Sequence, residues 1–174
     1  MVESESLRQK RHDVCLLHMN EENAHAFDRC IAAFEHARYE LVPTGEVYDG
    51  SERVHELMLE NKAAFPDFFF AVDKIHDADD AVIVEGTFKG THDGAWRGLP
   101  ATGKKVLLPM VIIFRFEGEG MICERVFFDL GTMLRQLGVA HDPNSTLGKI
   151  STVLNHPFSI ARALLRKILR SSKR

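Results

Sequence analysis

Apolar residues recur along this chain with two different periods. Through about residue 35, Val14, Leu17, Ala24, Phe27, Ile31 and Phe34 mark an interrupted apolar face at helical spacing. That spacing predicts two helices with a short break, the second starting within Asn20 to His25. A hairpin-like pair spans roughly Tyr39 to Tyr48 and turns at Pro43-Thr44-Gly45. Ser51 is placed to cap a further helix in which Val54, Leu57, Met58, Asn61 and Phe65 repeat, and Pro66 ends it. The period then shortens. Phe68 to Ile75, Ala81 to Thr91, Val106 to Phe116 and Met121 to Phe128 read as four strands, separated by turn signals at Asp77 to Asp80, Asp93-Gly94 and Glu117 to Gly120. The last run passes directly into an apolar helix, Leu130 to Leu137, stopped by Gly138.

The order is helices first and a long antiparallel sheet after. It predicts an α+β fold in which a curved sheet packs on the N-terminal helices and encloses one concave pocket. The main domain is expected over 1–142. A turn at Asp142-Pro143-Asn144 sets off a tail, 143–174, of two helical pieces divided at His156-Pro157.

Composition narrows the classes. At 174 residues the chain has the length of one core. No run approaches the roughly 20 apolar residues of a membrane-spanning helix, and Met1 to Arg11 is polar where an export signal would be apolar. The expectation is a soluble cytoplasmic protein. Cys15, Cys30 and Cys123 are scattered among apolar residues and read as buried small hydrophobes. The net charge of -3 conceals an asymmetry, because residues 143–174 hold seven Lys/Arg and no Asp/Glu, against 15 basic and all 25 acidic residues before them. So acidic a body does not suit nucleic acid. There is no GxxxxGK[ST] loop, HExxH, CxxC or Gly-x-Ser-x-Gly elbow, which disfavours nucleotide, metal and serine-hydrolase chemistry and leaves no cofactor expected.

Gly90-Thr91-His92 with Gly94, Gly98-Leu99-Pro100-Ala101-Thr102-Gly103-Lys104, Phe114-Arg115-Phe116, and Asp129 followed by Leu134-Arg135-Gln136-Leu137-Gly138 carry a resemblance. On these residues the chain resembles the SnoaL-like polyketide cyclase family of the nuclear-transport-factor-2-like superfamily, over about residues 5 to 138. The resemblance implies a cone-shaped fold, a homodimer through the outer sheet face, no cofactor, and a small hydrophobic carbonyl ligand. It also implies ring closure by intramolecular aldol condensation, with Asp129 in the place of the aspartate that takes a proton from carbon. The chain departs from the family where relatives carry a tryptophan before that aspartate. Here the residues are Glu124, Arg125 and Val126.

Asp129 has two readings: a base beside Phe127, in phase with Cys123 and Arg125, or the N-cap of the next helix with Thr132 three residues on. His92 shares a strand face with Val84, Gly86 and Phe88 and is either a proton shuttle or an anchor for the loop that follows. Arg115, within an apolar run, pairs with a carboxylate or a ligand enolate, or sits at the surface. Tyr39 and Tyr48 are the only tyrosines, and each is either core packing with its hydroxyl at the rim or an oxyanion donor, Tyr48 being the better candidate for the second, with Met110 and Phe127 as further pocket walls. The reading competing with catalysis is a ligand-binding or dimerisation module in the same cavity.

In the tail, Phe158, Ile160, Ala161, Leu164, Leu165, Ile168 and Leu169 alternate at helical spacing with Arg162, Arg166, Lys167, Arg170, Lys173 and Arg174. Such a helix packs its apolar stripe on the acidic body or a dimer partner, or lies on an anionic membrane. The charge of the body favours the first.

Overall fold

The computed structural model describes residues 5–171. Its elements, in chain order, are α1 (Glu5–Asn23), α2 (Phe27–Ile31), β1 (Arg38–Leu41), β2 (Glu46–Asp49), α3 (Ser51–Ala64), β3 (Phe69–Ala78), β4 (Ala81–Thr91), β5 (Lys105–Glu117), β6 (Gly120–Phe128), α4 (Leu130–Gln136), α5 (Thr146–Asn155) and α6 (Pro157–Ser171). Every element expected from the apolar periods is present. The break between the first helices falls later than expected, because His25 turns the chain with φ of 56° and α2 starts only at Phe27. Gly50, with φ of 93°, is the cap of α3, and Ser51 is its first residue.

The six strands form one curved, unclosed sheet of order β2-β1-β6-β5-β4-β3. Hairpins join β3 to β4 to β5 to β6, whereas β1 pairs in parallel with β6, placing Tyr39 opposite Glu124. Near the start of β6 the register shifts, so that Arg115 faces Cys123 but Phe116 faces Met121. The extra residue, Ile122, carries Met121 and Glu124 onto one face despite their odd separation. Val126 and Phe128 continue that inner face.

The inner face packs on α1 and α3. Val54, Leu57 and Met58 of α3 are buried at helical spacing. The buried stripe of α1 is instead Arg11, Cys15, His18 and Met19, two of them polar. Arg11 is satisfied by carbonyls at the tips of two hairpins: its Nε and Nη2 donate to Gly118 O at 2.8 and 2.7 Å and its Nη1 to Asp79 O at 2.9 Å. These bonds clamp α1 across the sheet. Gly86 of β4 permits a close approach on the inner face, since a Cβ there would lie 2.3 Å from Cζ of Phe70.

Contacts divide the chain into two compact units, with the division after Leu137. In the second, Ser145 caps α5 by accepting from Gly148 N at 2.9 Å, and α6 begins at Pro157, where φ is fixed and no amide is needed. Among the described residues no helix is long and apolar enough to cross a membrane. Ser172, Lys173 and Arg174, of which the last two complete the basic pattern of the tail, lie outside the described residues, as do Met1 to Ser4.

Candidate functional site

The sheet and α3 enclose a cavity of about 110 Å³. A water needs roughly 10–15 Å³ by that kind of measure, so the space admits a compact organic ligand. Its walls are chiefly aromatic and aliphatic, from Phe65, Phe68, Phe70, Phe88, Leu108 and Ile112 to Met133. Polar groups in the lining come from Asn61, Trp96 and Arg97 and from Glu22, Tyr39 and Glu124, the last three forming one group.

The second group belongs to a buried network on His18. Its Nδ1 lies 3.0 Å from the carbonyl of Cys30, which only accepts, so Nδ1 carries a proton. Nε2 lies 2.9 Å from Oε2 of Glu124, 3.0 Å from the hydroxyl of Tyr39 and 3.9 Å from Oε2 of Glu22. Burial alone would lower the pKa of His18, but the hydrogen bond and charge of Glu124, with the charge of Glu22, raise it. The imidazolium neutralises one carboxylate. Glu22 is the second carboxyl beside a single cation. Burial, then repulsion from Glu124, push its pKa up to about 7 against the attraction of His18. A group titrating there donates or accepts a proton with equal ease at neutral pH. Tyr39 is held far above its ordinary value by burial and the nearby carboxylates, so its hydroxyl stays a donor.

Local sequence explains the assembly. His18 and Glu22 are one turn apart on α1, Tyr39 is on β1 and Glu124 is on β6, beyond the bulge that turns it inward. His18, Glu22 and Cys30 also bring one donor atom each to within 4.8 Å of one another, a grouping open to a metal ion. Of those donors His18 is already engaged, by Cys30 Sγ 3.2 Å from its Nδ1 and by Glu124 at its Nε2, and burial and the adjacent carboxylates raise the pKa of the Cys30 thiol strongly. The set suits proton exchange better than a cation.

The residues singled out from sequence are dispersed. Asp129 caps α4, its Oδ1 accepting from Thr132 N at 2.6 Å. Its strand phase, shared with Cys123, Arg125 and Phe127, is the outer face of the sheet; the inner phase is Glu124, Val126 and Phe128. There Asp129, Phe127 and Met110 line an open depression of about 730 Å³ together with Asp73 and Glu85. Met110 borders the inner cavity as well. Arg115 is exposed and pairs with Asp80 at 2.9 Å, so it faces no interior ligand. Tyr48 is half-buried beside Glu46, which also pairs with Arg97 at the cavity wall. His92 is fully buried, its Nδ1 lying 3.1 Å from the Thr102 hydroxyl and its ring against Phe65, and burial lowers its pKa. It anchors the loop after β4. Its Nε2 has no hydrogen-bond partner among the described residues.

A curved, unclosed six-stranded sheet folded over one lined cavity defines the ketosteroid-isomerase-like, or nuclear-transport-factor-2-like, class of α+β proteins. The family model "SnoaL-like polyketide cyclase" matches residues 8–137, and the chain belongs to that family. Among solved structures it is similar to AclR of Streptomyces galilaeus, at 22% identity and a TM-score of 0.68, over 84% of this chain and 96% of that one. It is also similar to IdmH of Streptomyces antibioticus, at 24% identity and a TM-score of 0.62, over 74% and 99%. A third is a protein of ketosteroid isomerase-like fold from Catenulispora acidiphila, at 18% identity and a TM-score of 0.63, over 72% and 92%. No curated protein matches.

Proposed function

We propose that the chain takes a small, largely apolar carbonyl compound into the inner cavity and moves a proton on it, without a cofactor, as a cyclase or isomerase of the SnoaL-like kind. One observation carries this reading: Glu22 lines an apolar cavity beside Tyr39 and Glu124, with burial and Glu124 pushing its pKa up to about 7. In its ionised form Glu22 removes a proton from a carbon next to the carbonyl, and the resulting enolate oxygen accepts a hydrogen bond from Tyr39. In an isomerisation the proton returns from Glu22 to another carbon. In an aldol closure the enolate carbon bonds to a second carbonyl carbon, and its new alkoxide takes the proton from Glu22. His18 and Glu124 hold the local charge, and Arg97 with Asn61 orients a polar substituent at the other side.

A second reading keeps the resemblance's assignment, with Asp129 as the base. What favours it is that Asp129, Phe127 and Met110 gather around the outer depression. Solvent-deuterium incorporation at the acidic carbons of a panel of polycyclic ketones and keto-esters separates the two. Exchange by the wild type that collapses in Glu22→Gln and persists in Asp129→Asn supports the inner cavity. The converse pattern moves the chemistry to Asp129. Binding with no exchange by any variant makes the cavity a carrier or sensor site.

A further inference from the structure

The tail carries a surface that the cavity chemistry does not use. Projected at about 100° per residue, α6 divides into two halves. Ile160, Leu164, Leu165, Ile168 and Leu169, with Phe158, fill one half, and Arg162, Arg166, Lys167 and Arg170 fill the other. The apolar half is open to solvent: Phe158 is 88% exposed, and Leu164, Leu165, Ile168 and Leu169 are each more than half exposed. In α5, Leu147, Ile150, Val153 and Leu154 repeat at helical spacing and are exposed as well.

We propose that this tail docks on an anionic lipid bilayer, with α6 lying in the plane of the headgroups. Charge decides the occupant. No acidic residue occurs from 143 to 174, so a second copy of α6 covering the apolar half would set the bordering Arg162 and Lys167 of the two helices side by side with no acidic residue of the tail to pair them. An acidic protein surface would satisfy the basic half and leave the apolar half in water. A bilayer with anionic headgroups meets both requirements, because the leucines and isoleucines enter the acyl boundary while the flanking Arg and Lys remain at phosphate level. Among the described residues, the 15 of α6 rise about 22 Å, short of the roughly 30 Å hydrocarbon core, which suits a helix lying along the surface.

The test is co-sedimentation of the full chain with vesicles of phosphatidylcholine alone and of phosphatidylcholine mixed with phosphatidylglycerol as the anionic lipid, at low and high salt. The expected result is partitioning onto the anionic vesicles about tenfold above the neutral ones, weakened by salt. Both Ile168→Asp, in the apolar half, and the double variant Arg166→Glu with Arg170→Glu abolish it, while circular dichroism stays that of the wild type. Three results overturn the proposal. The wild type remains in the supernatant with both vesicle types; Ile168→Asp sediments as the wild type does; or gel filtration shows an oligomer that Ile168→Asp dissociates while no vesicle binding occurs, which gives the apolar half to a second copy.

Discussion

Tyr39 stands directly opposite Glu124 where β1 pairs in parallel with β6, and both side chains reach His18. The pairing makes these three groups a unit. Removing Glu124 leaves a buried imidazole that must discharge or stay charged without its main partner. Glu124→Ala is therefore expected to cost about 3–5 kcal/mol of stability, read by urea unfolding. Glu124→Gln, which keeps the shape and one hydrogen bond, is expected to cost less. Equal losses for the two would show that packing and not charge holds the network.

Stability is expected to decline as pH rises from about 4.5 through neutrality. Glu22 keeps its proton to about pH 7 when folded but releases it from about 4.5 when unfolded, so in that window the unfolded chain binds fewer protons and gains on the folded one. His18, with its pKa raised on folding, contributes stability below its ordinary value that is lost as pH climbs past the folded one. Both groups act in the same direction. Melting temperatures measured from pH 5 to 8 should fall for the wild type and fall less for Glu22→Gln, which should be the more stable of the two at pH 8.

Asp129→Ala should lower stability by about 1 kcal/mol through loss of the cap on α4. Asn is nearly as good a cap, so Asp129→Asn should unfold at almost the wild-type denaturant concentration. The pair separates a structural from a chemical role, because deuterium exchange lost in Asn as well as in Ala would follow the carboxylate and not the helix.

Gly86→Ala forces its new methyl onto Phe70 and onto the Ala71 carbonyl, 2.5 Å away. The expected cost is about 1–3 kcal/mol. Because Phe70 is part of the cavity wall, binding of any apolar probe that reports on the cavity should weaken in step. Isothermal titration and denaturant melts on the same preparation check both.

The fold was legible in the sequence because its elements are locally written. The strands of β3 to β6 are long, rich in apolar residues and separated by turn residues, and the family-like run from Gly90 to Gly138 covers the last of them. The site was less legible. His18, Glu22, Tyr39 and Glu124 come from three distant segments, and their spacings mean nothing until β1 pairs in parallel with β6. The bulge at Ile122 compounds this, since simple alternation along β6 does not carry Met121 and Glu124 to the same side. Asp129 drew attention because an aspartate at a strand-to-helix junction is conspicuous, and the same junction gives it the capping duty it performs. One signal was available: Arg11, Cys15 and His18 recur at helical spacing along one side of α1, and that side is the one the structure buries.

The parallel pairing of β1 with β6 also bears on how the chain folds. Glu40 and Arg125, which bond across it, are 85 residues apart, and His18 lies 106 from Glu124. Hairpins β3–β4 and β5–β6 close short loops and β4–β5 a longer one of residues 92–104, while contacts across 85 residues or more wait on a larger loss of chain entropy. The acid–base unit is consequently among the last parts to assemble. Until α1 and β1 dock against β6, Glu22 and Glu124 are separate solvated carboxylates, and the sheet alone is scaffold without the buried network.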